Sequence, residues 1–278
     1  MLIQKNSHLH NTAMRWQKTM KIIKSIAEFK KIRQNIKANS IGFVPTMGNL
    51  HGGHKSLIEH SVANNEITIV SIYVNPSQFD SAADSKSYPR TTREDCKLAR
   101  NLNVDYIIMP KTDEIYLDRH AFKVIETTKL SGMLEGEHRP EHFAGMLTVV
   151  LKLLILSRPT NLYLGEKDYQ QYLLVKGMAE AFFLDIEVVV LPTVRDINGL
   201  ALSSRNKFLS ETQLQKAPLF FQLLSSANLS DKGITSRLIK EGFAVDYIKT
   251  YENRRFGAVT IGGVRLIDNF QIYKGAKQ

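Results

Sequence analysis

The sequence predicts an α/β protein, a doubly wound parallel sheet followed by a small C-terminal α+β cap. Three observations predict it. Short β-rich apolar runs alternate with helical patterns, those runs are almost continuously apolar, and the pattern changes after Leu209. Strands without polar alternation belong to parallel sheets covered by helices on both faces. Such sheets bind ligands beyond the carboxyl ends of their strands, near the point where strand order reverses.

Residues 1–19 read as an N-terminal extension that is poorly ordered: they are polar, hold His8, His10 and Trp16, and lack the apolar run of a signal peptide. From Met20, a candidate functional start, Ile22, Ile23, Ile26, Phe29 and Ile32 fall at helical spacing. Strands are expected at 41–44, 67–74, 104–109, 161–164 and 186–191, and helices at 55–64, 93–101, 142–156 and 169–181. The expected units are a main domain over 20–208 and a cap over 209–278. In the cap Pro218 interrupts one apolar helical run, and weak strands are expected at 245–248, 258–261 and 264–267.

A chain of 278 residues that is 43% apolar can bury one sizeable core. The longest apolar stretch, 146–156, is broken by Lys152 and falls short of the roughly 20 residues a membrane span needs. The single cysteine, Cys96, excludes an internal disulfide and a cysteine-based metal site, and fits a reducing cytoplasm. The net charge of +10 is concentrated: residues 1–40 carry nine Lys and Arg against Glu28 alone, which leaves +2 for residues 41–278. No nucleic-acid surface is implied by so balanced a body.

Every unusual polar cluster follows a predicted strand: 45–54 the first, 75–79 the second, 165–168 the fourth and 195–205 the fifth. Loops at one end of a sheet converge on one site. In the first loop, Met47-Gly48-Asn49-Leu50-His51-Gly52-Gly53-His54, glycines allow close approach of backbone to phosphate. If the next helix begins at Gly52 or Gly53, both imidazoles stand at its positive end, where a neutral His can donate its N–H to a phosphoryl oxygen. No Gly-x-x-x-x-Gly-Lys-Ser/Thr run exists, which argues against a P-loop enzyme, and no cysteine or carboxylate accompanies the histidines to make a metal site.

His-x-Gly-His after a first strand resembles the nucleotidyltransferase group, Rossmann-like in fold, that includes class I aminoacyl-tRNA synthetases. The longer run Pro45-Thr-Met-Gly-x-Leu-His-x-Gly-His54 is similar to the pantoate–β-alanine ligase (pantothenate synthetase) family. So are Val74-Asn-Pro-x-Gln-Phe79, Tyr88-Pro-Arg90, Glu135-Gly-x-x-Arg-Pro-x-His-Phe-Ala-Gly145, Gly165-Glu-Lys-Asp-Tyr-Gln-Gln171, Leu202-Ser-Ser-Arg-Asn206 and Arg265-Leu-Ile-Asp-Asn269. The resemblance covers about Met20 to Asn269. It implies ATP-dependent condensation of pantoate with β-alanine through a pantoyl adenylate, with Mg²⁺, in a cytoplasmic homodimer.

It also implies roles. Residues Met47, Gly48, Asn49, Leu50, His51, Gly52, Gly53 and His54 would line the ATP site, with His54 as proton donor or phosphate stabiliser and His51 beside it. Gly165, Glu166, Lys167 and Asp168 would hold ribose and phosphates, Val194 adenine, and Leu202, Ser203, Ser204 and Arg205 the phosphate chain. Lys167 and Arg205 are expected to supply positive charge to the developing α-phosphoryl and pyrophosphate charge. Gln78 and Gln171 would contact pantoate, Gln78 also β-alanine. A neutral amide orients a nucleophilic carboxylate without drawing off its charge as a bidentate Arg would. Asn75 and Arg139 are further candidates for this pocket. Glu94 and Asp95 lie near the expected metal and pyrophosphate, although acids at a helix start also answer to the dipole, and the metal ligands stay unassigned.

Three departures stand out: Leu202 where methionine is usual, Asn198 where an acid is commoner, and only 14 residues between Tyr247 and Gly262, a short cap that bears on lid closure and product release. A nucleotidyltransferase acting on a phosphate ester would share the histidines but has no use for the two glutamine clusters. A nucleic-acid-binding relative of the tRNA synthetases fits the balanced charge poorly.

Overall fold

The computed structural model describes residues 19–79 and 81–272. The expected N-terminal extension therefore lies, apart from Thr19, outside the described residues. Six parallel strands form the main sheet: β1 (Lys21–Ile23), β2 (Ile41–Thr46), β3 (Ile67–Ile72), β4 (Tyr106–Ile108), β5 (Asn161–Gly165) and β6 (Glu187–Leu191). Their order is β1-β4-β3-β2-β5-β6. From β2 the chain moves outward in one direction to β3 and β4, and β5 and β6 lie on the other side. The switch point is thus between β2 and β5, which pair directly at Gly42–Asn161 and Phe43–Leu162.

Neighbouring residues on each strand enter opposite cores, as period-two geometry requires. Phe43, Ile69 and Leu162 face a core that includes Phe29, Phe143, Met146, Leu147 and Val175. Val44, Val70 and Tyr163 face another with Leu57, Ile58, Cys96 and Ala99. The covering helices are α1 (Ile26–Asn35), α7 (His142–Ser157) and α8 (Tyr169–Ala181) on the first face, and α2 (Gly52–Asn64) and α4 (Thr92–Asn101) on the second. Short helices α3 (Ala82–Ser87), α5 (Thr112–Ile115) and α6 (Glu135–His138) lie in the connections. A Cβ on Gly42 would stand 2.1 Å from Ser61 Oγ, so only glycine lets α2 pack this closely on β2. Lys152, which breaks the apolar run of α7, bonds Asp118 Oδ1 at 2.8 Å and the Ile115 carbonyl at 3.0 Å. No helix among the described residues is long and apolar enough to cross a membrane.

Two expectations need correction. The stretch from Met20 is not one helix. Ile23 is buried and Ile22 exposed, the alternation of a strand, and β1 pairs in parallel with β4. Ser25 then caps α1 by accepting from Glu28 N, so the helical spacing of Ile22 and Ile23 with Ile26 is incidental. The C-terminal strands are also longer than expected. β7 (Ala244–Tyr251), β8 (Arg254–Ile261) and β9 (Val264–Gln271) are eight residues each and form a three-stranded antiparallel sheet. Helices α9 (Glu211–Lys216), α10 (Pro218–Leu224) and α11 (Asp231–Lys240) precede it. Phe220, Leu224, Ile234, Leu238, Phe243 and Val259 make its separate core. The short interval from Tyr247 to Gly262 is accounted for by the tight β7–β8 hairpin with its turn at Glu252 and Asn253.

Candidate active site

The loop after β2 runs directly into α2, and its two histidines cap that helix. His51 is the N-cap: its Nδ1 accepts from Gly53 N at 3.1 Å. His54 Nδ1 accepts from His51 N at 3.3 Å. This is a capping box built from imidazoles, and it orients both rings. With each Nδ1 an acceptor, each ring carries its proton on Nε2. The ring centroids lie 4.1 Å apart. Burial, then the charge of Lys167, lowers His51 to a pKa of about 4. Burial, then His51 and Lys167, lowers His54 to about 3. Both are therefore neutral donors at pH 7. The helix end is expected to keep them neutral; desolvation and neighbouring positive charge are the causes found.

The loop's shape is held from behind. Gly48 and Asn49 have φ of 79° and 50°. Asp95, in the first turn of α4, accepts from Asn49 N at 3.0 Å and Leu50 N at 2.8 Å and is 2% exposed. Ser204 Oγ donates to the Asn49 carbonyl at 3.2 Å. Asp95 is thus a brace for the loop, which neither a metal nor a dipole role would have suggested.

Lys167 belongs to a 3-10 turn after β5, on the other side of the switch point. Its ammonium lies 3.4 Å from Asp168 Oδ1. Asn269 Nδ2, from β9, donates to the carbonyls of Glu166 and Lys167 at 2.9 Å each. The Glu166 carboxylate pairs with Arg254 at 2.8 Å and accepts from Thr193 N at 3.4 Å. Arg195 makes a two-pronged pair with Asp268 at 2.6 and 2.9 Å and stacks on Phe221, which anchors the loop before Leu202. Leu202 lies over Gly52, so close that a Cβ there would be 2.7 Å from Leu202 Cδ1. Asn198, the unusual residue of that turn, donates its N–H to Asp196 Oδ1. Arg205 is 3.7 Å from Asp84.

The third wall follows β3. Asn75 is 1% exposed and bonded on every side. Its Nδ2 donates to Gln78 Oε1 at 3.0 Å and to the Gly145 carbonyl at 3.1 Å, and its Oδ1 accepts from Tyr116 OH at 2.8 Å. A Cβ on Gly145 would stand 2.1 Å from the Ser77 carbonyl, so this turn rests directly on α7. Gln78 Nε2 then points to Met47 Sδ at 3.2 Å. Arg139 Nη2 donates to the Gln78 carbonyl at 3.0 Å.

These walls enclose one cavity of about 280 Å³. Met47, His51, Gly53, His54, Asn75, Gln78, Arg139, Gly165, Lys167, Asp168, Gln171, Val194, Leu202, Ser203, Ser204 and Arg205 line it. Of the residues expected at the site, Gly48, Asn49, Leu50, Gly52 and Glu166 are not in its lining. A sequence model of the pantoate–beta-alanine ligase family matches residues 21–271. The chain belongs to that family.

Relatives agree with a pantoate–beta-alanine ligase over nearly the whole length. The pantothenate synthetase of Coxiella burnetii (strain Dugway 5J108-111) is 49% identical over 257 residues, 92% of this chain and 99% of its own. That of Bdellovibrio bacteriovorus is 45% identical over 251 residues, 90% of this chain and 99% of its own. The crystal structure of the pantoate-beta-alanine ligase from Francisella tularensis, complexed with beta-gamma ATP and beta-alanine, superposes with a TM-score of 0.86 at 43% identity, covering 91% of this chain and 97% of that one. Pantothenate synthetase from Thermus thermophilus gives 0.84 at 34% identity, covering 91% and 100%.

In this ligase family member, sequence reasoning missed the C-terminal contribution. Tyr247, Phe256, Ile267, Asp268 and Asn269 all line the cavity, as do Glu135 of α6 and His142 of α7. Their motifs, Glu135 to Gly145 and Arg265 to Asn269, were visible. Their roles rest on contacts across more than 100 positions of chain, which no local pattern encodes.

Proposed function

We propose that this chain condenses pantoate with β-alanine in two steps, using ATP. A pantoate carboxylate oxygen attacks the α-phosphorus of ATP and the bond to pyrophosphate breaks, leaving pantoyl adenylate. The amine of β-alanine then attacks the activated carbonyl and loses a proton, and the bond to AMP breaks. The observation that carries this reading is the convergence, across the β2/β5 switch point, of two neutral Nε2–H donors and Lys167 on a cavity whose far wall is the Asn75–Gln78 amide pair.

The roles follow from the chemistry. His51 and His54 donate to phosphoryl oxygens as charge builds on them, while Lys167 and Arg205 balance the departing pyrophosphate. Val194 and Leu202 offer an apolar surface to adenine, and Gly165, Asp168, Ser203 and Ser204 polar groups to ribose and phosphates. Among the described residues Gln78 Nε2 has a thioether as its partner, a weak acceptor that a pantoate carboxylate displaces readily. Gln171 faces the same space from α8. Asn75 and Arg139 hold Gln78 in place.

Magnesium enters with the nucleotide. Phosphate oxygens and water are its natural ligands, with one or two carboxylates at most. There it neutralises charge on the triphosphate. We further assign the nucleotide and pantoate loops to a domain over 20–208 and the clamp on them to 209–278. A homodimer fits the segment after α5, where Leu117, Phe122 and Ile125 are 83%, 76% and 65% exposed. That segment is tied to α7 by the Val124 N–Thr148 bond and the Asp118–Lys152 pair, beside the 60%-exposed Ile155. A second copy covering these side chains gives them the burial they lack.

The test is release of pyrophosphate and AMP with ATP, pantoate and β-alanine, each omitted in turn. Pyrophosphate is expected to require pantoate, and AMP release to accelerate with β-alanine. Pyrophosphate release independent of pantoate would overturn the substrate assignment.

A further inference from the structure

Glu135 is a buried acid that the chemistry above does not use. It is 6% exposed and opens α6, just after Leu134, a buried non-glycine residue held at φ 54°. Arg265 of β9 grips its carboxylate with both terminal nitrogens, at 2.8 and 2.7 Å, and Tyr247 OH of β7 donates to it at 2.9 Å. On the other side Arg139 lies 3.7 Å from the same carboxylate and donates to the Gln78 carbonyl at 3.0 Å. The backbone N–H of Glu135 donates to Gln170 Oε1 at 3.2 Å, and Gln170 is next in sequence to Gln171. The carboxylate therefore touches at once the C-terminal sheet, through Arg265 and Tyr247, and Arg139, which supports Gln78.

We propose that Glu135 is a positioning residue for pantoate, through which Arg265 and Tyr247 of the C-terminal sheet fix Arg139 and so the backbone turn that presents Gln78. The proposal deepens the reading above and rests on its assignment of pantoate to Gln78. Its consequence is that the C-terminal sheet governs the acid substrate as well as the nucleotide loop that Asn269 holds. Burial alone would raise the Glu135 carboxyl, but the bonds and charge of Arg265, then Tyr247 and Arg139, outweigh it and keep it below the ordinary range. The group is an anion at neutral pH, and its charge is what Arg139 and Arg265 share. Neutralising it weakens the hold on Arg139, and a shift of about 1 Å in a positioning group costs up to about a hundredfold.

The test compares KM values in the full-length enzyme for Glu135→Gln and Arg265→Lys, the second retaining charge but not the fork. Each is expected to raise KM for pantoate at least about tenfold and to change KM for ATP less than about twofold. Asp246→Asn, which removes only Arg265's outer partner at 2.7 Å, is the control expected to leave both unchanged. In a Gln78→Ala background, Glu135→Gln is expected to add nothing further to KM for pantoate. A wild-type KM for pantoate in both variants, an equal rise in KM for ATP, or full additivity with Gln78→Ala overturns the proposal. If wild-type pyrophosphate release does not require pantoate, it is the substrate assignment that falls.

Discussion

Asp95→Asn separates a brace from a metal ligand. The Asp95 carboxylate is almost fully buried and accepts from Asn49 N, Leu50 N and Thr91 Oγ1 at 3.0, 2.8 and 3.1 Å. Asparagine keeps the shape but has one acceptor oxygen. Its NH₂ then faces a backbone N–H or the Thr91 hydroxyl, leaving at least one backbone donor unsatisfied. A hydrogen bond to a charged group contributes about 1.5–3 kcal/mol and an unsatisfied buried donor costs about 1–3 kcal/mol. These figures describe one loss, so the expected fall in stability is about 1–3 kcal/mol, which an ordinary domain of about 5–15 kcal/mol survives. The loop that presents His51 should relax, lowering the rate of adenylate formation by one to two orders of magnitude, about the cost of a 1 Å displacement. Urea denaturation gives the first quantity and single-turnover pyrophosphate release the second. If Asp95→Asn is as stable as wild type but needs far more magnesium, the brace reading is refuted and the acid serves the metal.

Further outcomes follow from the same geometry. His54→Ala and Lys167→Ala are expected to cripple pantoyl-adenylate formation while leaving the circular dichroism spectrum intact, and unchanged adenylation would remove them from the mechanism. Gln78→Ala should instead raise KM for pantoate markedly with a smaller effect on ATP. Because the folded pKa values of His51 and His54, about 4 and about 3, lie below the ordinary 6.5, the unfolded chain takes up protons first as pH falls. Stability should accordingly decline from about pH 6.5 towards pH 4 and 3, and ¹⁵N spectra of the rings should show Nε2–H neutral tautomers at pH 6. Asn269→Ala removes both bonds to the Glu166 and Lys167 carbonyls and should raise KM for ATP about tenfold or more. A chain beginning at Met20 is expected to fold and retain activity; loss of folding would show that residues 1–19 belong to the structure.

What the sequence made legible, and what it did not, divides by the range of the interactions. The alternation of apolar runs located β2 to β6 and the helices α2, α4, α7 and α8 to within a few residues, because burial on both sheet faces is written into each strand locally. β1 escaped because three residues are too few to separate a period of two from one of 3.6, and only Ser25 marks the break. The C-terminal strands looked short because their apolar residues are interrupted by groups with remote partners: Arg254 to Glu166, Arg255 to Asp231, Arg265 to Glu135, Asp268 to Arg195. Each is a buried or half-buried charge whose burial is tolerable only because its partner is there. Read locally they look like solvated surface; read with their partners they are the reason the small sheet sits on the site.

That pattern bears on function. Three of these four pairs reach from the C-terminal sheet to loops around the cavity, and Asn269 adds two bonds to the backbone that carries Lys167. A unit attached by apolar contact alone could slide without cost to the loops beneath it. One attached through half-buried ion pairs is held in a fixed register, and removing one partner of a buried pair costs about 3–5 kcal/mol. The bonds that seat the sheet therefore run to the walls themselves, to the backbone that carries Lys167 and to the acid beside Arg139. The brevity of the β7–β8 hairpin matters less for reach than for leverage: Tyr247 and Arg265 meet the same carboxylate, so the two outer strands act on Glu135 together.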